Sequence, residues 1–211
     1  MKKIPTLFER QYENHKVVGI TDKVTPGCEW VLEGEGTPTI KHDGSACAII
    51  NDRAYKRYDA KKGKPIPEDA IKCQEEPDPI TGHMPCWVPI KPSNPADKWF
   101  VKAFENSYAC EITGDELIVP MPGEVTTFEA IGPHFQGNAE HLEEYDEVVL
   151  HGIDEICDLP GRSFEDLRAY LEKTKIEGIV FWKDGEPKCK IKRSDFGFEW
   201  PIKEDHGGID G

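Results

Sequence analysis

The chain has 211 residues, 37% hydrophobic and 31% charged, and 40 acidic against 26 basic side chains give it a formal net charge of −14. That length can bury a real core, and five tryptophans, six tyrosines and nine phenylalanines take the chain out of the disordered class. No run approaches the roughly 18 apolar residues of a membrane helix, and so acidic a surface repels phosphate, which excludes indiscriminate coating of nucleic acid but not a locally basic cleft.

In chain order, the N-terminal stretch MKKIPTLFERQYENHK lacks the apolar segment of an export signal. The cysteines at positions 28, 47, 73, 86, 110, 157 and 189 are odd in number and scattered, the usage of a reduced, cytoplasmic protein with small buried thiols. Residues 29–33 (EWVLE) alternate with period two and read as a strand, followed by an extended Thr37–Lys41. Asp43-Gly44 signals a turn, Ser45–Ile50 a buried strand, Asn51-Asp52 the next turn, and Arg53–Asp59 the returning strand. Positions 63–95 are proline-rich and read as a long irregular excursion. It contains one His-x-x-Cys pair, His83 and Cys86, with no second close pair to complete a zinc site.

Asn94-Pro95 opens a helix over 95–106 whose Ala96, Trp99, Phe100 and Ala103 share a face. Residues 124–132 and 145–150 read as strands. The clearest helix spans 163–174, with Ser163 as its cap, Asp166 completing a capping-box variant, and Phe164, Leu167, Tyr170 and Leu171 on one face. Residues 178–182 and 188–193 form a hairpin through Lys183-Asp184-Gly185-Glu186, and 203–211 is a flexible polar tail. No composition break marks a boundary, so the pattern describes one α+β domain over 1–202, rich in antiparallel sheet.

Five places carry residues suited to chemistry. Lys41, in Lys41-His42-Asp43-Gly44, ends a strand before a tight turn; a lysine attacks phosphorus only when neutral, which requires burial or neighbouring cations to lower its usual pKa of about 10.4. Lys190-Ile191-Lys192 puts two ammonium groups on one strand face, where a polyphosphate would relieve their repulsion. Glu177, before Gly178-Ile179-Val180, and Glu129, within Phe128-Glu-Ala-Ile-Gly132, are carboxylates in apolar strands and need partners. Arg57, between Tyr55 and Tyr58, offers its fork to a ribose, a phosphate or a carboxylate. Taken singly, each has a bland reading: a hairpin turn with an exposed lysine, a solvated edge strand, outward-facing glutamates, and a surface arginine paired with Asp59. Basic residues also crowd 53–64 and 183–193.

Taken together, these five resemble the covalent nucleotidyltransferase superfamily, which contains ATP-dependent DNA and RNA ligases and mRNA capping enzymes. Lys41-His-Asp-Gly44 matches motif I, Arg57 motif Ia, Glu129 motif III, Glu177-Gly-Ile-Val180 motif IV and Lys190-Ile-Lys192 motif V. A narrower resemblance, covering most of the chain, is to a family of RNA ligases found in bacteria, phages and animals, whose animal member is a 5′-to-3′ RNA ligase. It is carried by residues 24–36 (VTPGCEWVLEGEG), 55–59 (YKRYD), 78–83 (DPITGH), 128–138 (FEAIGPHFQGN) and 192–197 (KRSDFG).

The resemblance implies an adenylyltransferase domain of the ATP-grasp-like ligase kind, without the C-terminal OB domain and motif VI of DNA ligases and capping enzymes. It implies ATP and Mg2+ (or Mn2+) as cofactors, RNA ends as partners, and a role in RNA repair. Lys41 would carry a lysyl-AMP. Arg57 and Glu129 would grip the ribose, Glu177 would organise Mg2+, and Lys190 and Lys192 would contact the α-phosphate and help keep Lys41 neutral. The motif V pair also reads as Lys188 and Lys190, but the 192–197 stretch favours the later register. Lys56, Lys61, Lys62 and Lys64, with the excursion over 65–95, are the expected RNA contacts. Trp87, Trp99, Phe100 and Phe135 all remain open as the adenine-stacking ring. Other readings are a nucleotidyltransferase that seals DNA or passes AMP to an acceptor other than nucleic acid, and a non-catalytic nucleotide- or RNA-binding module.

Overall fold

Two separated stretches, Ile4–Lys41 and the chain from Asp154 onward, build one unit, and the stretch between them, His42–Ile153, builds another together with Met1–Lys3. We call these the flanking and the inserted unit. A computed structural model describes residues 1–14, 16–79 and 81–203. The elements in order are β1 (Phe8–Glu13), β2 (Lys16–Val24), β3 (Thr37–Lys41), β4 (Ser45–Ile50), β5 (Arg53–Ala60), β6 (Ile71–Lys72), β7 (Met84–Pro89), α1 (Lys98–Ser107), β8 (Glu111–Thr113), β9 (Glu116–Ile118), β10 (Val125–Ile131), β11 (Glu147–Leu150), α2 (Phe164–Lys173), β12 (Gly178–Lys183) and β13 (Glu186–Lys192). The strands of each sheet pair antiparallel and the helices are few, as an α+β reading requires. Among the described residues no helix is long and apolar enough to cross a membrane.

In the flanking unit, β12 lies between β13 and β3. The turn of the β12–β13 hairpin places Asp184 and Gly185 at φ +55° and +73°, the left-handed pair that a two-residue turn between twisted strands demands. One sheet face carries Ile179, Phe181, Cys189 and Ile191 into a core with Leu7, Phe8, Val31, Leu167 and Leu171. Leu167 and Leu171 come from α2, which begins where expected: Ser163 Oγ accepts the Asp166 N–H at 3.2 Å, and the Asp166 carboxylate accepts from Ser163 in return. The far edge of β13 is covered, since Leu7 N–H donates to the Lys190 carbonyl at 2.7 Å and Lys190 N–H to that of Pro5 at 3.1 Å. The solvated edge that the sequence allows for β13 is therefore not found at Lys190.

The inserted unit is an eight-stranded sheet in the order β11-β10-β4-β5-β7-β6, with β9 on β5 and β8 on β9. Cys47, Ile49, Ala54 and Phe128 face a core completed by Ala103 and Phe104 of α1. The β4–β5 turn, Asn51-Asp52, again uses two left-handed residues, at φ +48° and +64°. A 3-10 turn over Pro95–Asp97, with Asn94 accepting the Ala96 N–H at 3.1 Å, leads into α1.

Several sequence expectations need correction. Residues 29–33 are not a strand; Glu29–Val31 is a 3-10 turn. Gly27 N–H donates to the Glu29 carboxylate at 2.8 Å and the Trp30 indole donates to the Gly27 carbonyl at 3.0 Å, and such local side-chain bonds compete with a ladder. Lys41 does not sit in a hairpin, because β3 and β4 belong to different sheets. The β1–β2 hairpin went unread because its alternation is masked by charged and exposed residues such as Tyr12 and Val18.

The proline-rich excursion hides a core strand, β7. Its Pro85 carbonyl accepts from Cys73, on the β6 side, at 2.9 Å. Pro85, Trp87 and Pro89 therefore turn their backbone polar groups towards the two-residue β6, leaving the β5 ladder its N–H donors. Four of the seven cysteines are buried and Cys157 is exposed, so the expectation of buried thiols holds only for the four. The expected polar tail, apart from Lys203, lies outside the described residues.

Arg193, just past β13, is 7% exposed, and its guanidinium donates to the carbonyls of Leu171 and of Thr174 (2.5 Å), closing the C-terminal end of α2. Arg193→Met is expected to lower stability by about 2–4 kcal/mol, because these two carbonyls, and that of Glu199, lose charged donors. Equilibrium urea unfolding checks this, and an unchanged midpoint would contradict it.

Candidate functional site

The flanking sheet assembles its charged face by register. Lys41 on β3 pairs with Gly178 on β12, and Gly178 with Lys192 on β13. Cross-strand partners share a face, so two lysines flank a residue with no side chain. Two pairs along, Val180 lies between Thr39 and Lys190 on the same face, while Ile40, Ile179 and Ile191 turn to the core. The strand alternation read for Lys190 and Lys192 is what the fold shows. Gly178 has no room for more: a Cβ there would run into the Ile191 carbonyl and come within 2.9 Å of Lys192 Cα.

Glu177, only 5% exposed, binds this row together. One carboxylate oxygen pairs with Lys41 Nζ and the other lies 3.4 Å from Lys192 Nζ. Its position is fixed from behind, since Arg193 N–H donates to the Glu177 carbonyl at 2.8 Å. Asp195 does the same for Lys192, accepting its N–H at 2.9 Å. Lys190 bears the electrostatic cost: burial first, then the Lys41 and Lys192 charges, push its pKa from 10.5 down to about 8, with Arg10 adding to the effect and Glu177 opposing it. Lys188, the other reading of the pair, is engaged with Glu186 at 2.5 Å beside the hairpin turn.

The inserted unit holds Glu129 and Arg57. Registers put Glu129, Ala46, Ala48, Tyr55 and Arg57 on one sheet face. Glu129 accepts the Gly44 N–H at 3.1 Å, and its second oxygen lies 3.0 Å from His151 Nε2, whose Nδ1 is 3.0 Å from Thr127 Oγ1. Arg57 donates to Asp59 and to the Met1 carbonyl, each at 2.7 Å, and lies 5.8 Å from the centre of the Trp87 ring. Lys56 points to the opposite face and pairs with Asp97, which is 1% exposed. Lys61, Lys62 and Lys64 are exposed on the turn after β5. Of the candidate stacking rings, Trp87 is buried, Trp99 stacks on His134 with centroids 3.3 Å apart, and Phe100 packs edge-on against Phe135 at 5.0 Å.

Sequence reasoning missed His151, Glu140, Arg10 and Asp195. Glu140 accepts the Asp43 N–H at 2.7 Å and faces His42 at 3.6 Å. His151, Glu140 and Arg10 carry no spacing signal, because their partners arrive through strand pairing or from distant segments, whereas Asp195 stands three residues after Lys192, the spacing of the cap it makes there. Among the described residues no three His, Cys, Asp or Glu side chains group to hold a metal. Glu177 alone still suits Mg2+, which commonly takes one or two carboxylates together with substrate phosphates and water.

Because the Lys190 pKa is lowered on folding, the folded chain binds fewer protons than the unfolded chain between about pH 8 and 10.5. The destabilisation, from burial of the ammonium first and from the Lys41 and Lys192 charges second, is at full strength below pH 8 and is relieved as pH rises through that window. Lys190→Met is expected to raise Tm at pH 7 by about 2–4 °C for each kcal/mol of buried-charge cost removed, with the gain shrinking towards pH 10. A gain independent of pH, or a loss at pH 7, would count against this electrostatic account.

Residues 56–207 match the RNA ligase 1 family. The chain is 25% identical over 174 residues to RNA ligase 1 of Danio rerio, covering 72% of this chain and 49% of that protein. It is 26% identical over 167 residues to RNA ligase 1 of Pongo abelii, covering 71% of this chain and 48% of that protein. The chain spans about half the length of these relatives. Arg57, Glu129, Glu177, Lys190 and Lys192 fall inside the matched segment, and Lys41 precedes it. With well over half of its residues matched, including Glu129, Glu177, Lys190 and Lys192, the chain belongs to the RNA ligase 1 family.

Proposed function

We propose that this chain is an ATP-dependent RNA ligase that joins a 5′-phosphate to a 3′-hydroxyl through AMP carried covalently on Lys41, within an adenylyltransferase domain of the ATP-grasp-like ligase kind. The observation that supports it is the row Lys41–Gly178–Lys192, with Lys190 on the same face and Glu177 shared between its two flanking lysines, in a chain of an RNA ligase family. Lys41 Nζ attacks the α-phosphorus of ATP. A nitrogen–phosphorus bond forms, the bond from that phosphorus to the bridging oxygen breaks, and pyrophosphate leaves. AMP then passes to the RNA 5′-phosphate, which frees the amine, and a 3′-hydroxyl displaces AMP to seal the strand.

The protein contributes position and charge. Lys190 and Lys192 stabilise the negative charge that builds on the phosphate oxygens. Glu177 favours the ammonium form of Lys41 while it pairs with it, so Lys41 gains its nucleophilic form only once that pair opens and the neighbouring lysines disfavour a third charge. Glu177 is the residue that would hold Mg2+, and a divalent cation there supplies compensation for the phosphate charge. Arg57 and Glu129, on one face of the inserted sheet, take the ribose hydroxyls, which requires each to exchange its present partners, Asp59 for Arg57 and His151 for Glu129. Lys61, Lys62 and Lys64 contribute to holding RNA.

Incubation with ATP labelled at the α-phosphate and Mg2+ is expected to add one AMP per chain, mapped by peptide mass to Lys41. Lys41→Ala should abolish the label, and Glu177→Ala should cut it at least a hundredfold. Undiminished labelling of Lys41→Ala would refute the assignment. Ligation of nicked DNA as fast as nicked RNA would refute the substrate class.

A further inference from the structure

Arg10 lies on β1, in the hairpin that the sequence pattern left unread. Its Nη2 is 3.5 Å from Asp195 Oδ1, and that same carboxylate accepts the Lys192 N–H at 2.9 Å through its other oxygen. One carboxylate, 6% exposed, therefore ties Arg10 to the backbone of the lysine pair. The Nε of Arg10 is buried and has no hydrogen-bond partner among the described residues. An unsatisfied buried N–H is costly. Nε and Nη2 lie on one edge of the guanidinium, the geometry that grips two phosphate oxygens at once.

The charge balance points the same way. Arg10, Lys41, Lys190 and Lys192 are gathered with two carboxylates, Glu177 and Asp195. Four cations against two anions leave the face with a net charge of about +2 in a chain whose overall balance is acidic. That excess is what an anionic ligand would neutralise.

We propose that Arg10 is a fourth phosphate-binding residue of the lysine face, gripping a phosphate other than the α-phosphate held by Lys190 and Lys192. This rests on the proposed reading of that face as the nucleotide-phosphate site. The phosphate comes either from the β,γ end of ATP, which leaves as pyrophosphate, or from the RNA 5′ end, and the two sources are separable by experiment.

Calorimetry in Mg2+ buffer measures binding of inorganic pyrophosphate, and of a 5′-phosphorylated oligoribonucleotide against its 5′-hydroxyl counterpart, to the wild type, Arg10→Ala and Arg10→Lys. A tenfold or greater loss for pyrophosphate in Arg10→Ala, with a smaller loss in Arg10→Lys, assigns Arg10 to the leaving group. A tenfold loss confined to the 5′-phosphorylated oligonucleotide assigns it to the RNA end. Affinities within twofold of wild type for both probes overturn the proposal. Thermal melting reports whether each variant is folded; where Arg10→Ala is not, Arg10→Lys is read alone, with a threefold loss on one probe expected and no loss on either overturning the idea. The binding assay needs no turnover, so Arg10-dependent pyrophosphate affinity in a chain that never takes up AMP would sink the Lys41 reading and leave this one standing.

Discussion

A buried carboxylate shared by two lysines organises the flanking unit. Glu177 is nearly inaccessible, and an ionised carboxylate in such a place persists only with partners. Lys41 and Lys192 supply them from the two strands on either side of β12. The arrangement needs a residue without a side chain at position 178, a hairpin that sets the β13 register, and a neighbour, Arg193, whose N–H holds the glutamate backbone. Each of these is local and cheap. Together they gather like charges that would otherwise keep apart.

That gathering works against stability. Lys190 is buried beside two more ammonium groups with only part of their charge answered by Glu177, and burial first, then those charges, depress its pKa. Function commonly sits where a fold tolerates such frustration. The surrounding structure absorbs it through the apolar underside of the same sheet, where Ile179, Phe181 and Ile191 are fully buried. Alternation along the strands makes this division possible, with one face carrying the cohesion and the other the charge.

The inserted unit repeats the device with different chemistry. Glu129 stands in a core strand and is satisfied by a backbone N–H and an imidazole in place of lysines. Gly44, which donates that N–H, sits so close to the Ala130 backbone that no side chain fits there. Asp43 beside it donates to Glu140, so two carboxylates hold consecutive amides of the segment that follows Lys41 in the chain. The glycine of Lys41-His-Asp-Gly44 is thus needed for close packing at least as much as for a turn.

The sequence by itself determined the elements whose signals are local. It specified the α2 cap and apolar face, the two-residue turns at 51–52 and 184–185, the alternation that aligns Lys190 with Lys192, and the family resemblance. It misread residues 29–33 and the stretch around β7, where side-chain bonds to the backbone and the orientation of two prolines override periodicity. Only the tertiary structure decided that Lys41, Gly178 and Lys192 form one row, that Glu129 meets His151, and that Arg10 joins the lysines through Asp195. Those pairings depend on register between strands far apart in the chain, and register is set by burial of whole faces rather than by the residues that end up side by side.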